Sequence, residues 1–348
     1  MKPERIRIGR RGSPPPRTKR ARWPFRFTLI LLGCIGITVS LFIAYRGEAP
    51  GQLPWNVAGG AGTESNPYRI ETCAQLQNLS FAPEAAYALA RDIDCADHAS
   101  LNAGRGFTPI GTTRDGFTGT LDGKGFAIRN LVMDRPSEDA VALFSLLGSG
   151  ASVSRLVLHV SVTGRDSVGG LAGWMDDGAL VSDLTVTGRV KGRLSVGGVA
   201  GVNRGIIRSV TVGQDRRGSA TGGTTVPPSL SSDVAVTGIR GVGGIAGIAD
   251  DGGRIEHTTV SGTVTGEEDV GGVAGVGRGV LIDGCTVTGT VRGTRNTGGA
   301  VGWLMGGAGR ASSVVDCRFA GTEEGMESGR PLIGKRGIPE PNNRDSQQ

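Results

Sequence analysis

The chain has 348 residues, of which 61 are Gly and only 16 are aromatic, so its core is filled by small residues and valine rather than by the large side chains of an ordinary globular domain. The formal net charge of +6 is concentrated at one end: residues 1–26 hold ten Lys/Arg against a single acid, Glu4, and the remainder is slightly acidic, at −3. That distribution argues against a basic groove for phosphate backbones, and a nucleic-acid partner is not expected.

Residues 27–45 (FTLILLGCIGITVSLFIAY) carry no charge and are mostly apolar. As a helix they span roughly 28 Å, enough for a bilayer. The Lys/Arg cluster precedes them, so the positive-inside bias predicts a basic cytoplasmic tail over 1–26, a single-pass signal anchor, and export of everything beyond Arg46. The alternative is a secreted protein with a cleaved signal. The stretch is long for a signal core, however, and Ala44-Tyr45-Arg46-Gly47 lacks a small-x-small cleavage pattern.

Residues 46–62 are rich in Gly, Pro and Ala and read as a flexible linker. From 63 to 133 short apolar segments broken by Gly, Asn and Asp predict strands in an N-terminal leader or cap, with one short helix after Thr72, whose hydroxyl is placed to cap it.

Residues 134–321 are dominated by an internal repeat. A six-residue pattern occurs at Val168-Gly169-Gly170-Leu171-Ala172-Gly173, Val196-Gly197-Gly198-Val199-Ala200-Gly201, Val242-Gly243-Gly244-Ile245-Ala246-Gly247 and Val270-Gly271-Gly272-Val273-Ala274-Gly275, with a looser copy from Thr297 to Gly302. The starts lie 28, 46, 28 and 27 residues apart, so one repeat holds an insertion, assigned to the Gly/Ser/Thr/Pro stretch 213–230. Ala142-Leu143-Phe144-Ser145 supplies an earlier degenerate copy, which gives about six coils of 28 residues. A fixed period of this length predicts stacked units, here an all-β parallel β-helix or β-solenoid. A second strand in each repeat alternates in character. It predicts an inward column of Leu156, Leu184, Val210, Thr258, Cys285 and Cys317, and an outward one of Thr185, Thr211, Thr259 and Thr286. Residues 322–348 are polar and are expected to be disordered.

Four cysteines lie in the exported part, where oxidation is permitted. The column places Cys285 and Cys317 on neighbouring coils within disulfide reach, which leaves Cys73 to pair with Cys95.

These repeats resemble the GLUG motif, seen here as Gly170-Leu171-Ala172-Gly173, Gly198-Val199-Ala200-Gly201, Gly244-Ile245-Ala246-Gly247 and Gly272-Val273-Ala274-Gly275. The blocks Asn66-Pro67-Tyr68-Arg69-Ile70 and Phe117-Thr118-Gly119-Thr120-Leu121-Asp122-Gly123 are similar to the leader that often precedes such repeats. The resemblance implies a right-handed β-helix in a bacterial surface or secreted protein. Some relatives carry a zinc peptidase domain. This chain has no H-E-x-x-H, and His98, His159 and His257 are scattered, so no zinc site, other metal site or cofactor is expected.

No catalytic constellation stands out. Asp176-Asp177 and Asp250-Asp251 follow two motif copies at equivalent positions two coils apart, with Asn203 near that position between them. Such columns suit sugar or calcium binding, or the paired carboxylates of a glycosidase. Asp-Asp-Gly is also ordinary turn chemistry. Trp174 and Trp303 terminate two motif copies and are placed either to stack on sugars or to cap the small-residue core. The sequence thus points to a surface binding or adhesion module for an envelope polysaccharide or a surface protein. The alternatives are a structural spacer and, behind it, a carbohydrate-active enzyme.

Overall fold

The computed structural model describes residues 56–213, 234–324 and 332–337. The predicted membrane span at 27–45, the basic tail before it and the insertion core at 214–230 lie outside the described residues. Among the described residues no helix is long and apolar enough to cross a membrane.

The repeat folds as predicted into a parallel β-solenoid. Its coils pass through three ladders. The first is a five-stranded corner sheet of Asp166–Gly169, Leu194–Gly197, Arg240–Gly243, Glu268–Gly271 and Arg295–Gly298. The second, the motif sheet, has seven strands, from Phe144–Leu147 through Ala172–Met175, Ala200–Asn203, Ala246–Ala249, Ala274–Arg278 and Val301–Met305 to Ile333–Arg336. The third is a long sheet whose central strands are Ser152–Thr163 and Leu180–Lys191, with its described strand-to-strand pairings parallel. The last motif-sheet strand comes from the stretch expected to be disordered: Ile333 faces Val301 and Lys335 faces Trp303. Apolar Leu332 and Ile333 pack on the core, a signal too short to outweigh the polar residues around it.

All three glycines of the motif are required by backbone proximity. A Cβ on Gly197 would sit 2.0 Å from the Ala200 carbonyl oxygen, on Gly198 2.2 Å from the Gly244 oxygen one coil on, and on Gly201 2.4 Å from the carbonyl carbon of Ser167 one coil back. The chain therefore doubles back between the corner and motif sheets with no room for side chains. The residue against which the third glycine packs is left-handed in successive coils: Ser167, Ser195, Gly241, Asp269 and Asn296 have φ between 50° and 65°. A second left-handed column, Arg155, Asp183, Ser209, His257, Gly284 and Asp316, turns the long sheet through a corner. Asn, Asp and Gly are the residues that adopt this conformation at least cost.

Between these corners Val and Ile stack in the core. Val168, Val196, Val242 and Val270 form one buried column, and Leu171, Val199, Ile245 and Val273 another. Leu156, Leu184, Val210, Thr258 and Cys285 are buried as the alternation predicts. Thr185, Thr211, Thr259 and Thr286 share one register column, in which Thr211, Thr259 and Thr286 are partly exposed while Thr185, expected to point outward, is buried.

The leader is itself part of the solenoid, since Tyr68–Ile70, Ala86–Leu89 and Thr120–Asp122 pair in parallel and lead onto Ser152–Thr163. Larger side chains fill this end, where Tyr68, Tyr87, Phe117 and Phe144 stack at centroid spacings of 5.6, 6.1 and 4.8 Å. The helix Cys73–Gln77 starts at Thr72, whose hydroxyl accepts from the Gln75 amide. Ordered structure begins before Thr63: Ala58 donates to the Arg69 carbonyl and Arg69 to that of Gly59, so the end of the expected linker is tied to the first strand. After the insertion Ala235–Thr237 pairs with Arg189–Lys191 and with Thr263–Thr265, so the coil resumes in register.

Cys73 and Cys95 form a disulfide, with Cα atoms 5.3 Å apart. Cys285 and Cys317 are free thiols, against expectation. They occupy facing positions on neighbouring parallel strands, so both side chains point the same way, and the Cys285 sulfur accepts a hydrogen bond from Thr258 Oγ1 at 3.2 Å. The adjacent Cys317 thiol and burial push the Cys285 thiol up.

Candidate functional site

The outer surface of the motif sheet collects the side chains singled out in the sequence. Leu146, Trp174, Val202, Ile248, Val276 and Trp303 face one another in successive strands, an apolar column in which Trp174, Ile248, Val276 and Trp303 are half-buried while Leu146 and Val202 are covered, and beside which Met175 points into the core. From Trp174 to Trp303 is four coil steps, roughly 19 Å. The two tryptophans differ in setting. Lys335 of the last strand lies 4.7 Å from the Trp303 ring centroid, and the Trp303 indole nitrogen is buried with no partner among the described residues. Trp303 thus caps the sheet. Trp174 is half-buried, with the Arg204 guanidinium 6.0 Å from its ring centroid on one side and an open groove of ≈ 470 Å³ beside it.

One rim of this strip carries alternating charge. The register that pairs Met175, Asn203, Ala249 and Gly277 places Asp176, Arg204, Asp250 and Arg278 in one column just beyond. The expectation for Asn203 is corrected here: it belongs to the inward column between Met175 and Ala249, is fully buried, and neither amide atom finds a partner among the described residues. The residue between the two aspartates is Arg204.

Arg204 and Arg278 clamp Asp250 from the two sides, with Arg204 Nη2 3.0 Å from one carboxylate oxygen and Arg278 Nη2 2.5 Å from the other. Burial opposes the charge on Asp250, but the two guanidiniums outweigh it and hold its carboxyl below the usual range. Asp251 accepts from the Ala308 amide at 3.2 Å. Asp250 and Asp251 are therefore committed to the fold. Asp176 and Asp177 are different: among the described residues their carboxylates make neither an ion pair nor a hydrogen bond. The Asp176 backbone is fixed, its amide donating to Leu147 and its carbonyl accepting from Ala179. The two aspartate pairs are not a matched pair of carboxylates, since only the earlier one is free to meet a ligand.

On the opposite rim the sequence marks Glu267, Glu268, Asp269, Arg193 and Arg240, ahead of the Val-Gly-Gly corners, as solvated corner residues and leaves Asp139, Asp166 and Arg165 unmarked. Asp139 and Asp166 line the groove with Asp176, and Thr113 and Ser167 add hydroxyls. Arg165 grips both oxygens of Asp139 at 2.7 and 2.6 Å, which holds its carboxyl below the usual range, and Arg193 holds Asp166 at 2.5 Å. Farther along, Arg240 pairs with Asp269 and Arg295 with Glu268. The signal for this rim was the acid or base recurring just ahead of each Val-Gly-Gly corner, easily taken for solvated turn residues. Among the described residues no group of three His, Cys, Asp or Glu side chains is arranged to hold a metal ion.

The sequence model described as "The GLUG motif" matches residues 238–265, the coil that begins at the third corner strand, Arg240–Gly243. Halomucin of Haloquadratum walsbyi is 41% identical over 120 residues, which is 33% of this chain and 1% of that protein. A protein of Evansella cellulosilytica named "Putative Gly-rich membrane protein" is 34% identical over 122 residues, 33% of this chain and 14% of that one. The chain thus spans only a small part of the length of the curated relatives it matches. Among solved structures, a crystal structure titled as a putative immunoglobulin A1 protease from Bacteroides ovatus superposes with a TM-score of 0.57 at 20% identity, covering 81% of this chain and 86% of that one. At that identity the likeness concerns the fold.

Proposed function

From the premise that this chain is a GLUG-motif β-solenoid repeat protein, we propose that it is a membrane-anchored, extracytoplasmic binding module that offers the outer strip of its motif sheet to an envelope polysaccharide. The observation that carries this reading is the apolar register column of the motif sheet, in which Trp174, Ile248 and Val276 are partly exposed and which runs along the stack with charged rims on both sides. A rigid ladder of this kind meets an extended polymer at several coils at once, with a small contribution from each.

Two further features support it. The uncharged run 27–45 behind ten basic residues anchors the chain with its C-terminal domain outside. The partial relatives include one named Halomucin and one named as a Gly-rich membrane protein. A purely structural spacer is the second reading, favoured by the coil-to-coil ion pairs along both rims.

The test uses the full chain on a polysaccharide panel, scored for retention and for released reducing or unsaturated ends. Retention without cleavage is expected. Neither retention nor cleavage leaves the spacer, and cleavage lost in Asp176→Ala would replace binding with hydrolysis or lyase chemistry.

A further inference from the structure

We infer that the groove beside Trp174 is a sugar subsite for uncharged, hydroxyl-rich hexosyl units. This rests on the binding function proposed above and names its chemistry. The groove is open to solvent, and Trp174 and Leu146, neighbours in register on the motif sheet, form its apolar floor. A pyranose ring offers one face of C–H bonds to an indole and turns its hydroxyls to the sides.

The walls match that demand. The side chains around the floor are the carboxylates of Asp139, Asp166 and Asp176 and the hydroxyls of Thr113 and Ser167, with no Lys or Arg lining it. Ionised carboxylates only accept hydrogen bonds, so the wall selects a ligand rich in donors. Arg165 and Arg193 grip Asp139 and Asp166, which keeps those two carboxylates fixed and their charge compensated. Asp176, with no side-chain partner among the described residues, is the acceptor left for the ligand. Hydrogen bonds from hydroxyls to an ionised acceptor are stronger than neutral ones.

The same arrangement sets selectivity. With Asp139 and Asp166 compensated by Arg165 and Arg193, the charge that a ligand meets is that of Asp176, which disfavours a uronic acid or sulfated sugar by like-charge repulsion. Trp303 is not a second copy of the subsite, because Lys335 covers it.

The experiment titrates the full chain with neutral oligosaccharides from a glucan, a mannan and a galactan, with polygalacturonate fragments and with amine-bearing glucosamine oligomers of matched length. The chains compared are wild type, Trp174→Ala, Asp176→Asn and a control on the long sheet, Thr259→Ala. At least one neutral series is expected to bind, weakened roughly tenfold by either Trp174→Ala or Asp176→Asn and unchanged by Thr259→Ala. Asp176→Asn is nearly isosteric at a side chain free of internal contacts, so it separates ligand binding from folding. Neutral binding that is indifferent to both groove variants, or tighter binding of the acidic or the amine-bearing series, overturns the subsite while leaving surface binding intact. No binding of any series overturns both.

Discussion

Gly247 lies against Ser195 of the preceding coil so closely that a Cβ on the glycine would stand 2.3 Å from the serine carbonyl carbon. The serine is left-handed, with φ 56°, and that turn carries its backbone into the motif sheet. The two positions therefore respond oppositely to substitution. Gly247→Ala is expected to cost about 3 kcal/mol or more, because the clash is with backbone and cannot relax through a rotamer. Gly241, in the same left-handed column as Ser195, has nothing nearer than 3.7 Å to an added Cβ, and Gly241→Asn is expected to change stability by less than about 1 kcal/mol. Denaturant midpoints of the two variants check the contrast.

Asn203 is a polar side chain in an apolar column, between Met175 and Ala249, with both amide atoms unpaired among the described residues. Asn203→Leu keeps the number and branching of the side-chain heavy atoms and removes the desolvated amide. It is expected to raise stability by about 1 kcal/mol or more, read as a higher midpoint of thermal unfolding.

Acid should loosen the solenoid through carboxylates held by arginine. Burial opposes the charge on Asp122, yet Arg155 and Lys124 outweigh it and hold its carboxyl at about 2, and Asp250, Asp92 and Asp139 are also lowered. Each has a folded pKa below its unfolded value near 4, so its stabilisation is present above about pH 4 and is lost as pH falls through the folded value, which for Asp122 is about 2. Asp250→Asn should cost about 2 kcal/mol at neutral pH and flatten the acid limb of a stability-against-pH curve. An unchanged slope would mean that the Arg204 and Arg278 clamp contributes nothing.

The Cys73–Cys95 disulfide closes a loop with a sequence separation of 22 at the start of the solenoid. Its reduction is expected to cost about 3 kcal/mol. Under denaturing, non-reducing conditions a thiol reagent should label Cys285 and Cys317 but neither Cys73 nor Cys95, as peptide mass mapping would read. In the folded chain Cys285 should be the slower of the two free thiols, being buried among Thr258 and Cys317.

The period of the motif was enough to read the coil, its three glycines and the inward Val and Leu columns, because a solenoid repeats one local solution. The register of single side chains was less accessible. A shift of one residue moves a side chain to the opposite face, so Asn203 and Arg204 exchanged roles between the sequence reading and the structure. The strand Ile333–Arg336 was hidden for a related reason: it departs from the repeat, and only pairing with Val301–Met305 gives it a place. The groove rim was hidden because Asp139 and Asp166 look like any solvated corner until Arg165 and Arg193 from the following coils close on them.

Hydroxyl-radical footprinting of the full chain, with and without the polysaccharide it retains, tests the binding strip most directly. The proposed face predicts lower oxidation at Trp174, Ile248 and Val276 on binding, with Thr211, Thr259 and Thr286 unchanged. Protection of the threonine column, with Trp174 as reactive as in the free protein, would contradict it.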